Sequence, residues 1–356
     1  MKTDKISRLA LSFTVAGAFI GAGFVSGNEL WQFFGSHGIT AFLTLPLSLI
    51  LLGILCKKFI YFCKRENVTS LKNCVFVKSP DIVKSLFVFS QIIFYFFLCV
   101  IMTSGFMALV KSFAGNVASL IAGIGFAVLV CICIFAGLHT LVRIFSLFVP
   151  CLIASTVIIS ALFLVKNGFA VPEIPQFSPK PFLSAIWGAL LSVSYNFFSC
   201  IGIFAPISVK TENEKNIRFS SFLGISYLFF IGAGILLSLF SASENAVGDL
   251  PMLEIAKSLS SPLSLFYALL LAAAMFTCSV TSGICVFEWA GEKFQMSKVR
   301  RLCVCAVFSV LFYTLSLIGF STLINTVYSF FGYIGFAVII AVFINSGGHN
   351  AKKHQN

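Results

Sequence analysis

Long apolar segments fill almost the whole chain, and they constrain its fold more than any other feature. A helix needs ~20 apolar residues to cross the ~30 Å hydrocarbon core of a bilayer. Only 10% of the residues are charged, whereas a soluble domain has roughly 25%. The sequence therefore predicts an all-α, polytopic membrane protein. We expect ten membrane-spanning helices, at residues 9–34, 39–56, 85–110, 117–137, 141–165, 183–208, 219–240, 263–289, 299–319 and 323–345.

Basic residues are distributed unevenly over the segments between these spans. With both termini in the cytoplasm, 20 of the 24 lysines and arginines lie on the inner side, as the positive-inside rule predicts. We therefore expect a cell-membrane protein with both termini cytoplasmic. The net charge of +12 indicates contact with anionic membrane lipids, and no nucleic-acid partner is expected. The alternative is a signal peptide cleaved near residues 16–18, which would leave nine spans and disturb this charge distribution.

The ten spans divide into two sets of five around a proline-rich segment. The predicted units are residues 1–165 and 183–345, with an outer loop at 166–182 between them and a cytoplasmic tail at 346–356. An odd number of spans per unit inverts the second unit relative to the first. Transporters built from such inverted repeats bind their substrate near the midplane, where an interrupted helix of each repeat meets the other.

The first span contains GAFIGAGFVSG at residues 17–27, with four glycines. Glycine is about 1 kcal/mol less favourable than alanine inside a helix, so this stretch predicts an unwound turn at mid-span. The alternative is close helix packing, because Gly17 and Gly21, like Gly23 and Gly27, are small residues four apart. The first span of the second half predicts a matching break, because it carries the polar residues Ser192, Ser194, Tyr195, Asn196 and Ser199.

The run GAFIGAGFVSGNE resembles the first helix of the YkvI family of bacterial membrane proteins. That family is placed in the amino acid–polyamine–cation superfamily, whose members have the LeuT fold with a 5+5 inverted repeat and broken helices 1 and 6. The resemblance implies a secondary active transporter that moves a small organic solute, an amino acid or a related compound, by alternating access. It implies Na⁺ as the coupling ion, with H⁺ as the alternative, and no cofactor.

The resemblance also implies a Na⁺ site between the first and eighth spans. Its ligands would be the carbonyls of Gly17, Ile20 and Cys278 and the hydroxyls of Thr281 and Ser282. The last three residues are at positions i, i+3 and i+4, so they share one face of a helix. The alternative is that the two hydroxyls donate to carbonyls of their own helix.

The predicted solute site lies between the two broken helices. Its residues are Ala18, Gly21, Gly23, Tyr95, Ser194, Tyr195, Asn196 and Ser199. Glu29 and Glu288 are predicted to act in gating or proton coupling, because ionisable groups inside a membrane are costly and are usually functional. The alternative for Glu29 is simple access to outer water, and for Glu288 it is pairing with basic loop residues.

Three further features concern an outer helix, the paired cysteines and the class of function. Asp249 is predicted to cap a short outer helix that has Pro251 in its first turn and covers the outer entrance. The two CxC pairs, at 131–133 and 303–305, are interpreted as small buried hydrophobes rather than metal ligands. The sequence has no catalytic motif, so we do not expect an enzyme. The alternatives to a transporter are a channel and a non-transporting sensor or assembly protein with the same fold, the latter favoured if phenylalanine fills the central cavity.

Overall fold

The computed structural model describes residues 7–68, 71–76, 79–135, 141–170, 179–208, 211, 213–242, 248–294 and 298–347. Across these ranges all regular secondary structure is helical and none is strand, which confirms the predicted all-α class. The helices are α1 (Arg8–Phe19), α2 (Ala22–Val25), α3 (Asn28–Phe33), α4 (Ala41–Arg65), α5 (Leu71–Cys74), α6 (Asp81–Phe135), α7 (Leu141–Asn167), α8 (Pro179–Ser208), α9 (Glu214–Ser241), α10 (Pro251–Leu259), α11 (Ser261–Phe294), α12 (Lys298–Ser316), α13 (Phe320–Leu323) and α14 (Ser329–Gly347). A 3₁₀ segment, Gly35–Thr40, precedes α4, and a π-helical turn, Ile324–Tyr328, joins α13 to α14.

The described part of the chain contains seven helical segments that are long and apolar enough to cross a membrane. They are Gly35–Arg65, Asp81–Phe135, Pro150–Asn167, Phe182–Ala205, Glu214–Ser241, Ser261–Gly291 and Phe320–Ile344. The protein is therefore a multi-pass membrane protein. The first predicted span does not count among the seven because it is divided into short pieces, and α12 does not because its apolar part, Leu302–Ser316, is shorter.

Helix α6 is two antiparallel segments rather than one rod. Its 55 residues would extend over roughly 80 Å at 1.5 Å per residue, far more than a bilayer requires. Gly115 has φ 82° and ψ −178°, which interrupts the helix. On either side of it, Ser119 Oγ donates to the carbonyl of Met107 at 2.7 Å, and the rings of Phe106 and Phe126 stack 4.6 Å apart. The chain thus reverses at Gly115, between the predicted third and fourth spans.

The first span is interrupted, as predicted. Ile20 and Gly21, between α1 and α2, are not helical, and Gly21 is extended at φ −87° and ψ 169°. A second change of direction follows at Gly27, whose φ of 85° is in the left-handed region that glycine adopts without strain. The pieces of this span contact α8, α9 and α11. The interruption is therefore enclosed by helices of the second half of the chain.

The predicted break in the matching helix of the second half is wrong. Helix α8 is continuous from Pro179 to Ser208. Its polar side chains find partners without any unwinding of the backbone. Ser199 Oγ donates to the carbonyl of Asn196, and Asn196 Nδ2 to that of Ser192, within the same helix. Ser194 Oγ donates to the carbonyl of Gly332 on α14 at 2.6 Å.

The predicted helix cap at Asp249 is also wrong. Helix α10 does begin at Pro251, but its N-cap is Leu250, which makes no side-chain hydrogen bond to the helix. The Asp249 carboxylate instead accepts hydrogen bonds from the backbone N–H and the hydroxyl of Ser321, at 3.2 and 2.7 Å. The Asp249 carboxylate thus binds Ser321, which is distant in sequence, and not the N-terminus of α10 as predicted from local spacing.

Candidate functional site

Two backbone carbonyls at the break in the first span lack their regular helical partners. The N–H of Gly21 donates to Phe19 at 2.9 Å instead of to Gly17, four residues back. The N–H of Phe24 donates to Gly21 at 3.1 Å instead of to Ile20. The carbonyls of Ala18 and Phe19 also lose their regular donors, but they accept hydrogen bonds from Cys200 and Gly21 instead. Among the described residues, the carbonyls left without a replacement donor are those of Gly17 and Ile20, the pair predicted to ligate Na⁺.

Neighbouring helices contact the backbone on both sides of this break. The hydroxyl of Tyr267 on α11 donates to the carbonyl of Val25 at 2.6 Å, and the pair is buried. The thiol of Cys200 on α8 donates to the carbonyl of Ala18 at 3.2 Å. These hydrogen bonds satisfy carbonyls near the break that water cannot reach. The broken backbone therefore lies against protein, as it must at membrane depth.

The hydroxyls predicted to bind Na⁺ lie on α11. Thr281 Oγ1 donates to the carbonyl of Thr277 at 2.8 Å, so the bond to its own helix that we considered as the alternative is present. A hydroxyl that donates in this way keeps its lone pairs and can still accept a cation. Ser282 is buried and lies beside Cys278. A cation site in this position stays a prediction.

The carboxyl of Glu29 on α3 is buried at the centre of the contact with α8. Only 3% of the residue is exposed, so the alternative of direct access to outer water does not hold in this conformation. The hydroxyl of Tyr195 donates to Glu29 Oε1, and Asn196 Nδ2 donates to the same atom at 3.4 Å. Both donors are uncharged, and they come from consecutive residues of one helix.

Aromatic rings enclose this carboxyl. The ring of Tyr195 stacks on Tyr328 of the π-helical turn with centroids 4.4 Å apart, and it stacks on Phe33 of α3 at 5.4 Å. On the remaining side the carboxyl adjoins Gly23, since a β-carbon there would meet Glu29 Oε2 at 3.3 Å. We define these residues, Gly23, Glu29, Phe33, Tyr195, Asn196 and Tyr328, as the Glu29 cluster.

The space beside the cluster is filled rather than open. A cavity of about 10 Å³ lies between α1, α2, α4, α8 and α9, and its polar lining includes Ser48, Ser192 and Asn196. Such a cavity holds one water at most. Tyr95 does not line this cavity. Its ring packs 6.1 Å from that of Phe94, which in turn lies 4.9 Å from Phe331. Within the described residues, the space beside the predicted solute site is therefore a cavity of this size, and it has no room for a solute in this conformation.

The remaining predicted residues lie apart from the cluster. Ser194 faces α14 through its bond to Gly332, and Ser199 bonds within α8. Glu288 is on an exposed face of α11. Tyr328 was missed by the sequence interpretation, because nothing local distinguishes one aromatic residue in a chain with 43 phenylalanines.

A second polar group joins α3 to the segments before α10 and in α13. Asn28 Nδ2 donates to Ser321 Oγ at 2.6 Å and to the carbonyl of Asp249 at 3.2 Å. Gln32 Nε2 donates to Asn28 Oδ1 and to the carbonyl of Ser321, both at 3.0 Å. A cavity of about 380 Å³ adjoins these residues and is also lined by Trp31. We call Asn28, Gln32, Asp249 and Ser321 the Asn28 network, and it closes one end of the first span.

The chain is similar in sequence to one curated membrane protein. This relative, the uncharacterized membrane protein YkvI of Bacillus subtilis (strain 168), is 26% identical over 347 residues, which cover 96% of this chain and 97% of the relative. The resemblance indicated by the glycine motif is therefore confirmed over nearly the whole chain. No protein-family model matches the chain.

Solved structures that are similar in fold include MhsT and a sialic acid symporter. MhsT in complex with L-phenylalanine has a TM-score of 0.63 and 14% identity, over 97% of this chain and 92% of that chain. A Na⁺-coupled sialic acid symporter in a substrate-bound, outward-open state has a TM-score of 0.64 and 12% identity, over 96% of this chain and 79% of that chain. The protein therefore has a LeuT-like fold. The expectation that it is not an enzyme agrees with the second neighbour, which is a symporter.

Proposed function

We propose that the protein is a secondary active transporter that moves a small organic solute, an amino acid or a related compound, across the cell membrane by alternating access. The observation that carries this proposal is the interruption at Ile20 and Gly21, which is enclosed by α8, α9 and α11. Irregular backbone at membrane depth is typical of transporter binding sites. The fold neighbours support it, since MhsT binds L-phenylalanine and the symporter takes sialic acid with Na⁺.

The topology of the proposal is ten crossings in two inverted sets of five, with both termini cytoplasmic and the solute site at the interface of residues 1–165 and 183–345. Three features support ten membrane crossings rather than the seven candidate spans counted by length and composition. The reversal at Gly115 makes α6 two crossings, the pieces α1 to α3 form one interrupted crossing, and α12 forms a shorter one. Membership of the amino acid–polyamine–cation superfamily is part of the same proposal.

The structure supports the proposal as a closed conformation of the cycle. The Asn28 network joins α3 to α13 at one end of the first span. At the other end, Arg8 Nε donates to Asn216 Oδ1 on α9 at 2.6 Å. Separation at either end would open a route to the backbone of Ala18, Gly21 and Gly23 and to the side chains of Tyr195 and Asn196. These are the proposed solute contacts.

Na⁺ is the proposed coupling ion, bound by the carbonyls of Gly17, Ile20 and Cys278 and by the hydroxyls of Thr281 and Ser282. The redirected backbone hydrogen bonds at Gly21 and Phe24 support it, since they leave two of these carbonyls open to a hard cation. Ser282→Ala would weaken Na⁺-stimulated uptake, with Ser226→Ala on the exposed face of α9 as the control. Uptake by the unmodified protein that is indifferent to external Na⁺ would remove this site.

The test of the function has two stages. The purified protein is first screened by thermal unfolding against amino acids and related amines, with and without Na⁺, because a bound ligand raises stability with its concentration. Each stabilising compound is then offered in radiolabelled form to liposomes that contain the protein. Uptake that saturates and that unlabelled compound inhibits is expected, and stabilisation without uptake by any compound would overturn the proposal.

That second outcome favours the other candidate, a non-transporting membrane sensor or assembly protein that keeps the fold. The aromatic filling of the centre by Phe94, Tyr95, Phe198 and Phe331 supports it. The two functions differ in one measurable respect, since a sensor binds its ligand without moving it across the bilayer.

A further inference from the structure

We propose that Glu29 binds a proton when the protein closes and releases it to water when α3 separates from α8. This inference rests on the proposed function, because it assigns a second ion, H⁺, to the same site. It does not replace the Na⁺ site, which uses other atoms on α1 and α11.

The Glu29 carboxyl is buried without a compensating charge among the described residues. Glu29 is 3% exposed, and within the described ranges its side chain receives hydrogen bonds from the neutral groups of Tyr195 and Asn196 alone. In the part of the chain that the structure describes, no lysine, arginine or histidine lies within ion-pair distance of its carboxyl. An isolated carboxylate is very costly in such surroundings, and a buried group avoids that cost by taking up a proton.

The packing around the Glu29 carboxyl leaves little space, and this favours a proton over a larger cation as its partner. The rings of Phe33, Tyr195 and Tyr328 are stacked in contact on one side of the carboxyl. Gly23 and Ile324 occupy another side, since a β-carbon on Gly23 would lie 3.1 Å from Ile324 Cδ1. The cavity of about 10 Å³ is lined by Asn196 but not by Glu29. A substrate ammonium group does not fit here in this conformation, whereas a proton needs no room.

Among the described residues, few titratable groups lie around Glu29. Helix α8 presents Tyr195, and the π-helical turn presents Tyr328 with Cys278 of α11 beyond it. Helix α9 presents the apolar residues Ile235 and Leu239, which adjoin Gly27. The other titratable groups near α3 have different neighbours. His37 of the 3₁₀ segment lies against Gly188, and the Asp249 carboxylate accepts from Ser321.

The local backbone provides the movement that exchange with water requires. Helix α3 has six residues and follows Gly27, whose φ of 85° already marks a change of chain direction. A displacement of this short helix away from α8 separates Glu29 from Tyr195 and Asn196 together, because the two donors are adjacent in sequence. The separated carboxyl is then hydrated and ionises. Protonation therefore favours the closed state and ionisation the open one, which links H⁺ to the conformational equilibrium.

Infrared difference spectroscopy on the full-length protein in lipid nanodiscs tests the proposal, because it detects the carbonyl stretch of a protonated carboxylic acid directly. Spectra of the unmodified protein at neutral and alkaline pH are compared with those of Glu29→Gln. Glu254→Gln, which alters a half-exposed carboxylate paired with Lys257 at 3.0 Å, is the matched control. We expect a carboxylic-acid band at neutral pH that is lost in Glu29→Gln and retained in Glu254→Gln. A neutral-pH spectrum with no difference between the unmodified protein and Glu29→Gln overturns the proposal.

A second measurement keeps the test valid if Glu29→Gln is poorly stable. Amide hydrogen exchange of α3 is followed from pH 5 to pH 9, with the intrinsic effect of pH on exchange removed. We expect protection of α3 in the unmodified protein to fall at least tenfold as the pH rises, and to stay constant in Glu29→Gln. Equal pH dependence in both proteins contradicts the proposal.

The proton site and the proposed transport can fail separately. A Glu29 band without uptake of any compound leaves the proton site in place and removes the transporter. Uptake by the unmodified protein with no Glu29 band leaves the transporter in place and removes the proton site.

Discussion

The carboxyl of Glu29 lies against the backbone of Gly23, where a β-carbon would stand 3.3 Å from Glu29 Oε2. The two residues are six positions apart and belong to different pieces of the interrupted span. Gly23 thus has a spatial role as well as a conformational one, since its missing side chain leaves the room that the carboxyl occupies. The glycine-rich motif and the buried acid are parts of one site.

Alanine at position 23 is predicted to disturb this site, whereas alanine at position 21 is not. The added methyl group of Gly23→Ala would press on Ile324 and on the Glu29 carboxyl, and overpacking of this kind costs about 1–3 kcal/mol. A β-carbon on Gly21 meets no atom within 4 Å, and φ there is −87°. Thermal unfolding in one detergent compares the variants, and equal unfolding temperatures would contradict the prediction.

Tyr195→Phe is predicted to destabilise the closed conformation. The substitution removes one of the two donors to Glu29 and keeps the ring stacking on Phe33 and Tyr328. Loss of a buried partner costs roughly 1–3 kcal/mol. Tyr333→Phe is the control, because Tyr333 is 55% exposed and also packs on an aromatic side chain. A thermal unfolding curve of Tyr195→Phe that matches the control would show that the hydroxyl contributes nothing.

Ser321→Ala is predicted to loosen the Asn28 network. The variant loses the hydrogen bond from Asn28 Nδ2 and the one to Asp249 Oδ1, at 2.6 and 2.7 Å. The segment that leads into α10 would then keep the bond from the Met252 N–H to the carbonyl of Ser26 and those from Asn28 Nδ2 to the carbonyls of Gly248 and Asp249. We expect amide exchange in α10 to accelerate about tenfold, which corresponds to 1.4 kcal/mol. Thr314→Ala, whose hydroxyl bonds only within its own exposed turn, is the control, and unchanged exchange in Ser321→Ala would refute the prediction.

Cys74 in α5, outside the candidate membrane spans, is predicted to be unreactive toward thiol reagents. The residue is fully buried, and burial raises the pKa of its thiol to about 12. Only the thiolate reacts, so labelling should stay slow from pH 7 to pH 9 and begin only as the pH approaches that pKa. A cysteine introduced by Glu66→Cys, at an exposed position, should react increasingly over that range. Mass spectrometry of maleimide-treated protein measures both sites, and rapid labelling of Cys74 at pH 7 would show that α5 is not packed as described.

The interruption of the first span could be predicted from sequence because its cause is local. Glycine weakens a helix wherever it occurs, and a cluster of glycines at mid-span therefore marks the break. The reversal at Gly115 lies in the gap predicted between the third and fourth spans, at residues 85–110 and 117–137. Those two spans were separated by length, since a single helix of 55 residues does not fit a bilayer.

The continuity of α8 could not be predicted, because it depends on partners that are distant in the sequence. Ser194 is satisfied by Gly332, and Asn196 by Ser192 and Glu29. Polar residues at mid-span indicate that a partner exists but do not say whether it is water, backbone or another helix. Asp249 illustrates the same point, since its partner Ser321 lies 72 residues away.

Only the polar residues of the Glu29 cluster could be predicted from the sequence. A carboxylate inside a span is rare enough to be noticed, and so are Tyr195 and Asn196 together. Tyr328 and Phe33 have the same composition as the surrounding apolar filler, and only the three-dimensional packing identifies them as the walls of the site.

The unbroken course of α8 makes the two halves of the molecule mechanically unequal. A rod with no joint can tilt or slide only as a whole, whereas the first span has a joint on each side of α2. Bending of the backbone is therefore confined to the first span. Helix α8, which carries Tyr195, Asn196 and Cys200, stays unbroken. Of the two helices, the first span can change shape within its length, and α8 can respond only by a movement of the whole helix.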